Sequence, residues 1–449
     1  MAGAMSAWLL PGGPALAETM ESALARAYNA NPQLNAQRAS VRATDENVTQ
    51  ALAGYRPTIA ASADVGFTAQ DTIGQGQSSN NKYFPRGVGV QVNQTLFNGG
   101  RTGNSVRRAD AGVLAAREQL RSTEQSVLLD GATAYMDVLR DTAILNLRNN
   151  NIDVLEEQLR QTRDRFNVGE VTRTDVAQAE ARLAAARSDA SSAAGLLKAS
   201  LARYRQVIGV DARQLAPAKP LEANLPRTLD SAVAVSQSTH PAILAALHAV
   251  DAAALLVKVT EGELAPSVTV QGTLSHRWDY QQPNSEVNTA SVVGALSVPI
   301  YEGGSVYSRV RQAKETLGQR RIEADQARDA VRQAVVASWS NLEATRERIT
   351  ASQAQIQAAE VALNGVREEA KVGQRTTLDV LNAQQELLTA RVSLITAQRD
   401  RVVASYNLQS ALGWLSSSRL RLATQEYKPQ VHYEQVRDKW IGLRNPDGR

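Results

Sequence analysis

Residues 88–106, VGVQVNQTLFNGGRTGNSV, hold the join between two kinds of chain periodicity. Up to position 96, apolar Val88, Val90, Val92 and Leu96 alternate with polar Gln91, Asn93 and Thr95. A period of two belongs to an extended strand with unlike faces. Gly99-Gly100 interrupts it, and from Gly103 onward the apolar spacing is helical. The same join returns 204 residues later as VPIYEGGSVYSRV, residues 298–310, with Gly303-Gly304 inside it.

Three more alternating segments surround the joins. In TIAASADVGFTAQ, residues 58–70, Ile59, Ala61, Ala63, Val65, Phe67 and Ala69 oppose Thr58, Ser62, Asp64, Thr68 and Gln70. Val268, Val270, Leu274, Trp278 and Tyr280 oppose Thr269, Gln271, Thr273, Arg277 and Asp279. Ala290, Val292, Leu296, Val298 and Ile300 oppose Ser291 and Ser297. Each run exceeds the ~5–6 residues usual in soluble sheets and meets the ~9–11 that a tilted membrane strand needs. One such strand would fit a soluble sandwich equally well. Two hairpins, 57–97 and 266–301, separated by a long helical stretch, do not. Nor can four strands close alone, since a single-chain membrane barrel needs at least ~8. If the apolar face meets lipid, several chains must pool strands, and three chains give twelve. The connecting segments TIGQGQSSNNKYFPR and QQPNSEVN are polar and are expected to be flexible loops.

The chain also matches itself. Pro32 recurs as Pro241 and Pro57 as Pro266, both 209 residues on. Beyond the hairpins the offset is 204: Val168-Gly169 with Val372-Gly373, Asp175-Val176 with Asp379-Val380, Leu183 with Leu387, Arg187 with Arg391 and Gly209 with Gly413. Residues 86–216 and 300–428 contain no proline, a residue that costs a helix interior ~3 kcal/mol, so both intervals suit long helices. Val335, Leu342, Ile349, Ile356, Leu363 and Ala370 recur every seven residues, and Gly131, Val138, Leu145, Ile152, Leu159 and Phe166 stand 204 earlier in the same register. A strict seven-residue repeat predicts left-handed coiled-coil packing. One helix over 103–167 would be about 97 Å long at ~1.5 Å per residue. The expected helices are 103–167, 173–209, 305–371 and 375–413, within repeats 18–238 and 239–415 and before a C-terminal segment 416–449.

Composition narrows the function. The chain has 449 residues, 43% hydrophobic but only 4% aromatic, so Ala, Val and Leu must fill narrow seams. Cysteine is absent and histidine numbers four, which removes thiol chemistry and leaves little for a metal site. His240 and His248 are eight apart, wrong for a metal pair on one helical turn. The Gly-Gly joins are not followed by a phosphate-loop pattern, and no Ser/His/Asp constellation is recognisable. The net charge of +4 is dispersed, which gives no nucleic-acid footprint. Enzymatic activity, cofactors and metals are therefore not expected. No uninterrupted apolar run reaches 18 residues, so no transmembrane helix is expected. Residues 1–17, with Ala15-Leu16-Ala17 before Glu18, read as a secretory signal that lacks a basic n-region.

The order of hairpin, Leu-Phe-x-Gly-Gly, long helix, Val-Gly tip and returning helix, all duplicated, resembles the TolC-type outer-membrane channel proteins. The segments TLFNGGRTGNSV, VPIYEGGSVYSRV, FNVGEVTRTDV and KVGQRTTLDVLNAQQEL carry the likeness, and the tail YKPQVHYEQVRDKWIGL looks like the branch serving type I secretion. The resemblance implies an α+β membrane protein in the outer membrane of a Gram-negative bacterium. Its homotrimer forms a twelve-stranded β-barrel continued by a helical periplasmic tunnel. It further implies a periplasmic adaptor and an inner-membrane transporter, RND or ABC type, as partners. By position, Arg375, Asp175 and Thr174 look like a latch holding the entrance closed, and Asp379 with Asn382 like the constriction ring. Val168, Gly169, Glu170, Val372, Gly373 and Gln374 form tips to which the adaptor would dock. Two departures stand out: the family's latch tyrosine falls on Ala370, and its second ring carboxylate on Asn382. Plain helix capping is the alternative role for Asp175 and Asp379, and a periplasmic coiled-coil adaptor or scaffold the alternative function.

Overall fold

The computed structural model describes residues 17–74, 77–223, 225–446 and 448. The expected leader, Ala17 apart, lies outside them. The chain forms two compact units. One comprises the residues up to Gln37, Gln119–Ile243 and Arg328–Tyr427; the other comprises Arg38–Glu118, Leu244–Ala327 and Lys428–Arg449. In chain order the elements are α1 (Met20–Ala30), α2 (Pro32–Leu52), β1 (Thr58–Val65), β2 (Thr68–Gly74), β3 (Gln77–Tyr83), β4 (Arg86–Asn98), α3 (Arg101–Asn167) and α4 (Arg173–Ile208). Then follow α5 (Leu229–Thr239), α6 (Pro241–Glu261), β5 (Ser267–Trp278), β6 (Glu286–Ser297), α7 (Ser305–Lys371), α8 (Thr377–Ala411) and α9 (Pro429–Arg437).

The second unit holds the sheet. The strands of both hairpins join in one antiparallel sheet of order β1-β4-β5-β6, because β4 pairs with β5. The register aligns Ala61 with Val90, Val90 with Leu274 and Leu274 with Ala290, so the apolar sets share one face. Ile59 is 70% and Val292 80% exposed on that face, an arrangement water would not favour. Three details differ from the sequence expectation. The first alternating segment breaks at Gly66-Phe67, and its end joins part of the connecting segment in a further antiparallel pair, β2 with β3, although Asn and Gly favour strands poorly. A bulge between Thr95 and Phe97 brings Phe97 opposite Val268, an assignment strict alternation does not make. The segment Leu229–Leu264 is long and apolar enough on average for a membrane-crossing helix. Counting uninterrupted runs misses it because His248, Asp251 and Lys258 punctuate an Ala/Leu-rich stretch, which itself breaks at His240-Pro241 between α5 and α6.

The tail packs onto this second unit. Asp45 on α2 is fully buried and lies 2.9 Å from His432 Nδ1 on α9, while the Tyr433 hydroxyl donates to Asp110 on α3 at 2.7 Å. Burial pushes the Asp45 carboxyl above its ordinary range, and His432 opposes the shift.

The first unit is helical. The seven-residue seam is buried at Val335, Leu342 and Leu363 on α7 and at Val138 and Leu159 on α3. Gly131 occupies the seam where α3 passes α1 and α4: a Cβ there would stand 2.8 Å from Leu24 Cδ2. The seam loosens towards the end of α3, where Phe166 is 42% exposed. Helix α5 starts 209 residues after α1, the offset that relates the paired prolines.

The sheet register makes a prediction. Val90→Arg or Val270→Arg, both on the apolar face, costs assembly ~2–4 kcal/mol at the bilayer midplane, whereas Thr269→Arg on the polar face is tolerated. Heat-modifiability of the assembled protein reads the difference. Equal tolerance at all three sites would show that the faces are assigned wrongly.

Candidate functional site at the helix tips

Each long helix ends in the same device. After α3, Gly169 adopts φ 82°, Glu170 N–H donates to the Arg165 carbonyl at 2.9 Å and Gly169 N–H to that of Phe166 at 3.0 Å. After α7, Gly373 adopts φ 78°, with Gln374 donating to Glu369 at 2.9 Å and Gly373 to Ala370 at 3.3 Å. This paired bonding uses carbonyls that a helix end leaves unpartnered, and its positive φ selects glycine. Val168 and Val372 beside the glycines are 73% and 71% exposed.

The returning helices start with matching caps. Thr172 caps α4: its hydroxyl accepts from Asp175 N–H at 3.3 Å, while Asp175 Oδ2 accepts from Thr172 N–H at 2.9 Å. Thr376 caps α8 in the same way, with Asp379 N–H at 3.2 Å from the threonine hydroxyl and Thr376 N–H at 3.0 Å from Asp379 Oδ2. Both aspartates sit at the third helical position, where a carboxylate also favours the helix dipole. The Thr376 N–H, the Thr376 hydroxyl and then Arg375 hold the Asp379 carboxyl below its ordinary range.

The partners of Arg375 and Asn382 were not readable from sequence. Arg375 Nε donates to Glu369 Oε2 at 2.8 Å within its own hairpin. No Arg375–Asp175 pair forms within the chain among the described residues, and Asp175 Oδ2 is engaged by the backbone and hydroxyl of Thr172. Glu369 is six residues from Arg375, so the loop to be closed is short. Its pairing raises the already high pKa of the guanidinium. Asn382 on α8 accepts from Arg182 Nη2 on α4 at 2.7 Å. Thr174 lies exposed in the first turn of α4. Ala370 packs with Leu363, Val380 and Leu387 between α7 and α8.

Behind the tips, Leu155, Leu159, Ala179, Leu183 and Ala186 close the α3–α4 pair, with Leu381 of α8 among them. Two cross-helix ion pairs repeat at the offset of 204: Arg187 with Glu156 and Arg391 with Glu360, each at 2.7 Å. His240 ends α5 and is held below its usual pKa by burial first and Arg121 second, consistent with a structural histidine. Among the described residues no group of metal-ligating side chains occurs.

A half-exposed apolar sheet, attached coiled coils and paired tips define the architecture of a channel-forming outer-membrane protein. The profile of the outer membrane efflux protein family matches residues 23–210 and 234–414, once per repeat, and the chain belongs to that family. It is 44% identical over 447 residues to the outer membrane efflux protein BepC of Brucella suis, covering 99% of this chain and 96% of that one. It is 25% identical to the outer membrane protein TolC of Escherichia coli, over 90% and 84% of the two chains. The solved CmeC outer membrane channel of Campylobacter jejuni superposes with a TM-score of 0.78 at 16% identity, over 93% and 89%, and CusC with 0.78 at 17%, over 88% and 92%. The chain is accordingly an outer-membrane channel of the efflux and type I secretion class.

The caps predict how the tips respond to substitution and acid. Thr376→Ala removes ~0.5–2 kcal/mol from the start of α8. Asp379 has a lowered folded pKa, so its stabilising contribution is present above the ordinary aspartate value near ~3.9 and is lost as pH falls through the lower folded value. Hydrogen exchange should therefore accelerate at residues 376–382 in Thr376→Ala, and in the parent under acid. Unchanged exchange in both would remove the cap from the account.

Proposed function

We propose that three copies of the chain assemble into a passive exit duct, one barrel of twelve strands continued by a helical tunnel, without hydrolysis or cofactors of its own. The observation that carries this reading is a sheet exposing an apolar face and, among the described residues, two open edges, β1 and β6, in a chain whose long helices carry a seven-residue seam. A periplasmic adaptor and an inner-membrane transporter, of RND or ABC type, complete the assembly. The adaptor docks on Val168, Gly169, Glu170, Val372, Gly373 and Gln374, whose exposed valines provide apolar contact beside polar backbone. In this scheme residues 18–238 and 239–415 are the repeats, and 416–449 the tail.

The tips form the entrance. Asp379 carboxylates from three copies line its narrowest ring, with Asn382 one turn along α8. Like charges around a narrow axis attract cations and bind multivalent ones. Arg375, half exposed in its own hairpin, and Asp175 with Thr174 on a neighbouring tip form the latch when copies assemble. Coiled-coil scaffolds that never enter a membrane lack the apolar strands that support this reading.

Single-channel recording in planar bilayers tests it. Asp379→Ala should lower cation selectivity and block by trivalent cations, and Arg375→Ser should raise conductance by loosening the closed state. A protein inert at the bilayer sinks the duct. Selectivity and block that survive Asp379→Ala place the constriction elsewhere.

A further inference from the structure

Among the described residues, the two returning helices share one polar contact, which the repeat does not duplicate. Arg182 on α4 donates to Asn382 on α8, yet their equivalents at the offset of 204 are Glu386 and Gln178, which form no such pair among the described residues. Leu381, only 2% exposed, precedes Asn382 and buries its side chain in the α3–α4 cluster. An apolar anchor and a polar contact at adjacent residues thus tie α8 to α4. On the same helices, the amide oxygens of Gln178 and Gln384 are buried with no hydrogen-bond partner among the described residues.

The acceptor is a neutral amide. Arg182 has no ion-pair partner among the described residues, so its charge is not cancelled locally. Asn382 stands three residues from Asp379 on α8, which places the two on the same side of the helix one turn apart. Each chain therefore brings a fixed cation to the turn of α8 that follows the proposed ring residue.

We propose that Arg182 is a specificity-determining residue of the entrance: through Asn382 it clasps α4 to α8 and sets an uncancelled positive charge one helical turn from Asp379. The proposal rests on the duct reading above. Breaking the clasp frees the inner end of α8, and removing the guanidinium leaves the carboxylates unopposed. Asn382→Asp separates these effects, because an ion pair tightens the clasp while cancelling the charge.

The test uses the full chain in planar bilayers under a potassium chloride gradient, with Arg182→Gln, Asn382→Ala, Asn382→Asp and the pair Arg182→Gln/Asn382→Ala beside the parent and Asp379→Ala. Arg182→Gln should raise open probability about threefold, the scale of a partly exposed polar contact, and move the reversal potential towards cations. Asn382→Ala should raise open probability by the same factor, and the double variant no further, since both remove one contact. Asn382→Asp should move the reversal potential towards cations with no rise in open probability. Arg182→Gln behaving as the parent while Asp379→Ala alters selectivity would overturn the clasp and leave the duct standing. If neither variant alters the channel, the clasp and the entrance assignment fall together.

Discussion

Two sheet edges constrain everything else in this chain. Among the described residues, strands β1 and β6 each pair on one side only, so a row of backbone donors and acceptors along each remains open. In hydrocarbon such groups cost several kcal/mol apiece, and lipid offers them no partner. The apolar face alongside them favours lipid over water, and the proposed assembly meets both demands by pairing the edges with further copies. At the joins from strand to long helix the chain turns on paired glycines. Gly99 is required twice over, by φ 67° and because a Cβ would stand 2.5 Å from both Ala265 and the Gly262 carbonyl oxygen. Gly303 and Gly304 have open space around them and are required by φ alone, 63° and 80°.

Duplication supplies the frame, and departures from it distinguish the two tips. Both tips share the glycine turn, the threonine cap and the aspartate at the third helical position. Their charges differ: Arg375 answers to Val171 in the other repeat and Arg182 to Glu386. A perfectly repeated tip would place identical charges on both helix pairs. The divergence lets one pair carry the proposed ring while the other supplies a cation beside it.

Much of this was legible in the residues themselves. Alternation located four strands, the seven-residue seam located the long helices, and repeated prolines and glycines exposed the duplication, because each pattern is local or recurs at a fixed spacing. The capping role of Asp175 and Asp379 was also readable, since their threonines lie three residues away. Partner choice was not. Arg182 and Asn382 are separated by 200 positions, and only the relative phase of α4 and α8 decides that they meet. Glu369 gave no signal as the partner of Arg375, since an exposed glutamate near a helix end is ordinary. The pairing of His432 with buried Asp45 depends on where the tail returns, which no periodicity encodes.

Because the chain contains no cysteine, cross-linking tests strand pooling directly. A cysteine at Ala61 on β1 would be combined in turn with one at Asn288, Ala290 or Val292 on β6, and the membrane-inserted protein oxidised. Within one chain these edges are three strand spacings apart, roughly 14 Å, beyond the ~7 Å that a disulfide spans between Cα atoms. Any bond formed must therefore join different copies. The account predicts that at least one combination gives a reducible product with the mass of three chains. Only monomers from all three combinations, or a product that stops at two chains, would contradict it.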